Sequence, residues 1–232
     1  MFKNKKILAI IPARGGSKRL PRKNILNLMG KPLIAWSILA AKDSKYIDKL
    51  LISTDDIDIA NISNKFGAQV PELRPEELAT DKATTKDVIL YTLNNFGKHF
   101  DVVVILQPTS PLRNSLHIDE ALEVYMAKSA SSVISVTPCE HPPCWSNTLP
   151  HNGSMKGFIK PANVKRSQDY SQSYRLNGAI YIYDINSFIN EKDISYTEHS
   201  FSYVMDNESS IDIDTELDFK FAEFYLRCKA GG

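Results

Sequence analysis

The chain has 232 residues, 43% of them apolar, with 28 Lys and Arg against 27 Asp and Glu for a formal net charge of +1. That balance gives no general reason to expect nucleic acid or an anionic membrane surface as partner, and the composition is that of one globular core rather than a disordered or fibrous chain. The longest apolar stretches, such as Ile7 to Pro12 and Val102 to Leu106, fall far short of the roughly 20 residues of a membrane-crossing helix, and three cysteines, Cys139, Cys144 and Cys228, are too sparse for a disulfide framework and fit a reducing, cytoplasmic setting.

In chain order, Lys3, Lys5 and Lys6 precede an apolar run that Arg14 and Lys18 cut short, so Ile7 to Ile11 reads as a buried strand rather than a secretory leader. The segment I-P-A-R-G-G-S-K-R-L-P-R-K-N follows at once, setting Arg14, Lys18, Arg19, Arg22 and Lys23 around Gly15 and Gly16. Glycine lets backbone N–H groups approach phosphate oxygens, and the cations offset repulsion among neighbouring negative charges, so this loop suits a triphosphate. It matches neither G-x-x-x-x-G-K-[ST] nor G-x-G-x-x-G, which weakens kinase-type and dinucleotide readings.

Apolar spacing then predicts a helix over Pro32 to Ala41, a strand over Leu50 to Ser53 and a helix over Asp58 to Phe66 that Gly67 ends. Thr84 with Asp87 marks a further helix start. Val102 to Leu106 reads as a buried strand whose end presents Gln107, Pro108, Thr109 and Ser110; a turn set by the prolines and a substrate-binding edge are both open at this point. A helix over His117 to Ala127 and a strand over Ser132 to Val136 complete a βαβ series, which predicts an α/β fold with a mostly parallel sheet covered on both faces.

From Thr137 to Tyr174 the alternation stops, giving way to prolines and aromatics as in an inserted lobe. Cys139, Glu140, His141 and Cys144 lack the second ligand pair of a zinc site. Patterning resumes as a strand over Ala179 to Tyr183 and a helix over Thr215 to Cys228. Just before that helix, a strand through Ile211, Asp212, Ile213 and Asp214 would send both aspartates to one face, where two carboxylates can hold Mg²⁺; an exposed alternating strand is the plain alternative.

The basic loop, Arg74 to Ala79 (R-P-E-E-L-A), Gln107 to Arg113 (Q-P-T-S-P-L-R), Asn177 to Tyr181 (N-G-A-I-Y) and Ile211 to Thr215 (I-D-I-D-T) together resemble the CMP-sialic acid synthetase (acylneuraminate cytidylyltransferase) family, in order from about Ile7 to the last helix. The resemblance implies one cytidylyltransferase domain over residues 1–232, a three-layer Rossmann-like nucleotidyltransferase fold, with a small dimerisation and sugar-binding lobe inserted at about 138–176. It implies conversion of CTP and a sialic-acid-like sugar to the CMP-sugar and pyrophosphate by a homodimer, with Asp212 and Asp214 holding Mg²⁺, or Mn²⁺ in its place, and Arg14 and Lys23 on the phosphates. The nucleotide would lie against Ala13, Arg14, Gly15, Gly16, Ser17, Lys23, Asn24, Arg74, Ala83 and Thr85. The sugar would lie against Gln107, Thr109, Ser110, Trp145, Arg166, Gln172 and Tyr181.

Two positions depart from the family pattern. Trp145 stands where the sialic acid enzymes carry a lysine, and Ser167, next to Arg166, stands where an arginine is expected. An indole in place of an ammonium changes charge and shape, which opens legionaminic acid or another nonulosonic acid as the alternative sugar. A non-catalytic nucleotide-binding module would be expected to lack Asp212 or Asp214, and both are present.

Overall fold

A computed structural model describes residues 2–80, 82–160, 166–190 and 196–230. Its centre is a six-stranded sheet of β1 (Ile7–Pro12), β4 (Lys49–Ser53), β5 (Val102–Leu106), β6 (Ser132–Pro138), β7 (Tyr174–Asp184) and β8 (Ser200–Val204), in the order β4-β1-β5-β7-β6-β8. β1 runs parallel to β4 and β5, β6 runs parallel to β8, and β7 is antiparallel to both its neighbours. A small hairpin of β2 (Asn27–Leu28) and β3 (Lys31–Pro32) precedes the first helix.

β1 is apolar at every position because both its faces are covered. Ile7, Ala9 and Ile11 pack with Ile34 and Ile38 of α1 (Leu33–Lys42) and Ile118 and Leu122 of α4 (Ser115–Ala127). Leu8 and Ile10 face the other way, onto Ile89 and Leu93 of α3 (Thr85–Phe96) and Phe188 of α5 (Ile185–Asn190). This is the three-layer α/β architecture expected of a run without polar interruption, and each such fully buried Leu or Ile contributes about 1.5–3 kcal/mol. α2 (Ile57–Lys65) begins where Asp56 accepts from Asp58 N and Ile59 N, α3 starts with the Thr84–Asp87 capping box, and Gly67 follows α2 at φ 79°. The last element is α6 (Glu216–Ala230).

The chain leaves β1 for β4 on one side and then crosses to β5 on the other, so connections at the carboxyl ends of β1 and β5 depart in opposite directions. In an open α/β sheet that divergence leaves a crevice in which ligands bind.

The structure corrects the sequence reading at four places. β7 starts five residues before Ala179, because its first part pairs with β6 out to Pro138 opposite Tyr174. Ser200–Val204 forms an edge strand and Ile185–Asn190 a short helix that periodicity did not reveal. Residues 211–214 form no strand, because among the described residues no neighbouring segment offers a ladder there: a main-chain bond runs from Ile213 N to Thr109 O at 2.8 Å. The alternation itself persists, with Ile213 fully buried and Asp212 exposed.

Between β6 and β7 the described residues carry only two single-turn segments, Pro143–Trp145 and Ser167–Asp169. The excursion hangs from the end of the two strands, closed at its root by Cys139 N donating to Ser173 O at 2.8 Å.

Candidate active site

The basic loop is held from below. Ala13 N donates to Ser53 O at 2.9 Å, prolonging the pairing of β1 with β4, and Gly15 N donates to Asp55 Oδ1 at 3.1 Å. A Cβ on Gly15 would lie 2.7 Å from Asp56 Oδ2 and 2.8 Å from Asp56 Cβ, so glycine is required here for close packing against the cap of α2. The N–H expected to face phosphate at Gly15 is thus turned to Asp55, whereas Gly16 lines the cleft. Farther on, Arg22 takes left-handed geometry at φ 54° and is tied to Asp58 at 2.5 Å. The chain then folds into a single turn, Lys23–Ile25, that carries Lys23 back into the protein.

Lys23 meets the segment before α6. Its Nζ donates to Ile213 O at 2.5 Å and to Asp214 Oδ1 at 3.0 Å, while Arg19 Nη1 reaches Asp214 Oδ2 at 3.0 Å. Asp218 accepts from Asp214 N at 3.1 Å and Thr215 N at 2.7 Å, fixing the entry to α6. The Asp212 carboxyl is held above the usual carboxylate range, mainly by the protein packed around it, with repulsion from Asp214 adding and the Thr109 hydroxyl and Lys23 opposing. Its outer surface is open to water, which keeps that rise modest.

The cleft lining also holds two buried polar groups with unused capacity. Arg74, 8% exposed, donates to Ser53 O at 2.6 Å and Leu78 O at 3.2 Å, and its Nε has no partner. Burial lowers its pKa, Asp55 opposes that shift and Arg14 adds to it. Asn24 donates from Nδ2 to Arg14 O at 2.9 Å and leaves Oδ1 unpaired. Buried groups in this condition call for a partner, and a nucleobase edge carries donors and acceptors suited to both.

Arg113 anchors the turn after β5. Its Nη2 donates to Ser37 Oγ at 2.6 Å and Gln107 O at 3.3 Å, and burial alone draws its pKa down to about 9.

These walls enclose a cleft of about 710 Å³ at the carboxyl ends of β1 and β5. Of the residues expected from sequence, Arg14, Gly16, Ser17, Lys23, Asn24, Arg74, Ala83, Thr85, Gln107, Thr109 and Asp214 line it. Ala13 and Ser110 are buried nearby, and Tyr181 lies in β7 opposite Ile105, within electrostatic range of Asp212, its hydroxyl pKa raised mainly by burial. Trp145, Arg166 and Gln172 lie on the excursion and do not line this cleft: Trp145 stacks on His141 and meets Tyr170 edge-on, Arg166 is exposed, and Gln172 borders a small depression of about 90 Å³ with Cys139 and Glu140.

Sequence reasoning gave Lys82, Thr84 and Val88 no place at the site, yet they also line the cleft; their position in the same short stretch as Ala83 and Thr85 was the signal available. It also missed Asp55, whose function only the fold displays.

Among the described residues no group of three or more His, Cys, Asp or Glu side chains is arranged to hold a metal. Asp212 and Asp214 supply two hard oxygen donors beside a cationic cleft, which suits an ion that completes its shell with phosphate oxygens and water. No helix among the described residues is long and apolar enough to cross a membrane.

Comparison with known proteins shows the family of the chain. The family model described as cytidylyltransferase matches residues 8–223. A CMP-N,N'-diacetyllegionaminic acid synthase of Legionella pneumophila is 40% identical over 94% of the chain and 95% of its own length. An N-acylneuraminate cytidylyltransferase of Escherichia coli is 38% identical over 94% of the chain, which spans 51% of that larger protein. A solved CMP:2-keto-3-deoxy-manno-octonic acid synthetase complexed with CTP superposes with a TM-score of 0.75 over 97% of this chain and 99% of its own, at 15% identity, which establishes a shared fold.

Proposed function

This chain belongs to the cytidylyltransferase family, and on that footing we propose that it joins CMP from CTP to a nonulosonic acid, forming the CMP-sugar and pyrophosphate. The observation that carries the reading is the meeting of Lys23 with Asp214 at 3.0 Å at the mouth of a cleft lined by Arg14, Lys18 and Arg19. One chain thereby sets cations for a triphosphate beside a carboxylate for its metal.

In the reaction the anomeric hydroxyl oxygen of the sugar bonds to the α-phosphorus of CTP. The bond from that phosphorus to the oxygen bridging the α- and β-phosphates breaks, pyrophosphate leaves with its electron pair, and the hydroxyl proton passes to solvent. Arg14 and Lys23 offset the charge that gathers on the phosphate oxygens, and the Arg74 and Asn24 groups orient the base. Gln107 and Thr109, at the end of β5, bring the sugar to the α-phosphorus. Asp212 and Asp214 would hold Mg²⁺, or Mn²⁺ in its place, which would supply Lewis-acid polarisation of the phosphate oxygens.

The sugar is a sialic acid or a close relative. Trp145 in place of the lysine of the sialic acid enzymes, and likeness to a relative named for diacetyllegionaminic acid, favour the legionaminic type. Trp145, Arg166 and Gln172 stand outside the cleft of their own chain, which supports a homodimer in which the excursion serves the partner's site. CTP as substrate and three sparse cysteines support a cytoplasmic setting.

Pyrophosphate release measured with CTP and Mg²⁺ across N-acetylneuraminic, legionaminic and pseudaminic acids tests the reading. Turnover with at least one, fastest with the legionaminic type, is expected. No release with any of them, from a folded protein that binds CTP, would remove it.

A further inference from the structure

Asp214 is doubly engaged: one carboxylate oxygen accepts from the Lys23 ammonium and the other from the Arg19 guanidinium, each at 3.0 Å. A divalent ion seeking the same oxygens meets two unit positive charges already at hydrogen-bond distance, and its entry is opposed until at least one withdraws. The two cations are not equivalent. Lys23 has a side chain only 11% exposed and a second acceptor in Ile213 O, so it stays; Arg19 is 72% exposed, with Asp214 the acceptor recorded for its guanidinium, so it can swing at little cost. Both line the cleft in which a triphosphate would sit, and a polyanion of several charges outbids one carboxylate for them.

We propose that Arg19 and Lys23 latch Asp214, and that the triphosphate of the incoming nucleotide opens the latch by drawing Arg19 onto itself, so that the divalent ion gains Asp214 only after nucleotide has entered. Arg19 is then a positioning residue, acting on the metal site through Asp214, and metal and sugar chemistry is withheld until the cleft is charged. The inference rests on the reading that the cleft takes CTP.

Two measurements on the full chain test it without relying on turnover. Calorimetry of CTP binding in EDTA compares wild type with Asp214→Asn, which keeps the side-chain shape and removes the competing charge. The latch requires Asp214→Asn to bind metal-free CTP about three- to tenfold more tightly, the span of one or two partly exposed ion pairs. Equal or weaker binding overturns the latch, as does CTP binding by wild type only when Mg²⁺ is present. Failure of wild type to bind CTP in either buffer instead removes the underlying reading of the cleft.

The second measurement is an electron paramagnetic resonance titration of nucleotide-free protein with Mn²⁺ alone. Arg19→Gln alters an exposed side chain, so it preserves folding; it should bind Mn²⁺ at least about threefold more tightly than wild type. The gain should vanish in Arg19→Gln/Asp214→Asn. Equal Mn²⁺ affinity in wild type and Arg19→Gln overturns the latch.

Discussion

The cleft wall and the β6–β7 excursion are built on opposite plans. In the first, segments distant in sequence are locked together by Lys23 on Ile213 O and Asp214, by Ile213 N on Thr109 O, and by Asp55 on Gly15 N. The second has single-turn pieces, exposed Leu149 and Met155, and one aromatic group of His141, Trp145 and Tyr170. The difference teaches that the wall around Lys23 is held in place by bonds within one chain, the arrangement that electrostatic stabilisation by preset donors requires. The proposed sugar contacts Trp145, Arg166 and Gln172 stand on a part that one chain alone leaves apart from the cleft.

The comparison is broken most severely at Asp214. Asp214→Ala should lower pyrophosphate release on the order of 10³-fold, several kcal/mol of lost transition-state stabilisation, while circular dichroism stays that of the wild type. A variant retaining a tenth of the activity would show that the rigid wall does not hold the metal. Next comes Gly15→Ala, where the added methyl must push the loop away from Asp56. A displacement near 1 Å should cost about 10²-fold in kcat/KM for CTP, and the melting temperature reports whether the fold is spared.

Trp145→Lys sharpens the contrast from the other side. It should shift the preference between sugars about tenfold with KM for CTP unchanged, since Trp145 lines no part of the cleft of its own chain. Change in CTP affinity alone would place the excursion in nucleotide binding.

The smallest effect belongs to a helix cap at the cleft, read through stability alone. Thr84→Ala should cost about 1 kcal/mol in urea unfolding. The Thr84 hydroxyl first, and its backbone N–H second, hold Asp87 below the usual carboxylate range. A carboxyl whose folded pKa lies below its unfolded one stabilises above the unfolded value, and that contribution fades as pH falls through the folded one. The gap between Thr84→Ala and wild type should therefore be full at neutral pH and narrow below about pH 4.

Much of this was legible in the sequence where one physical rule governs a stretch of chain. The apolar run of β1 predicted a strand buried on both faces, Thr84 with Asp87 predicted a capping box, and the cations after the first strand marked the stretch from which Arg14, Lys18, Arg19 and Lys23 line the cleft. What stayed hidden depends on groups distant in sequence. The alternation of Ile211 to Asp214 reads as a strand because period two records which side is buried, whereas a ladder needs a neighbour that only the fold supplies. Ser200–Val204 was missed because an edge strand with one covered face mixes serine among its apolar residues. Arg19 read as one cation among five; its attachment to Asp214 spans 195 positions.

Whether the cations after β1 and the aspartates before α6 meet across a single triphosphate is decided by a crystal structure with CTP and Mn²⁺, read from the anomalous signal of the ion. Manganese within bonding distance of Asp212 and Asp214, and phosphate oxygens on Arg14 and Lys23, are the expected result. A triphosphate seated elsewhere, or an ion bound to it with neither aspartate as ligand, would contradict that meeting.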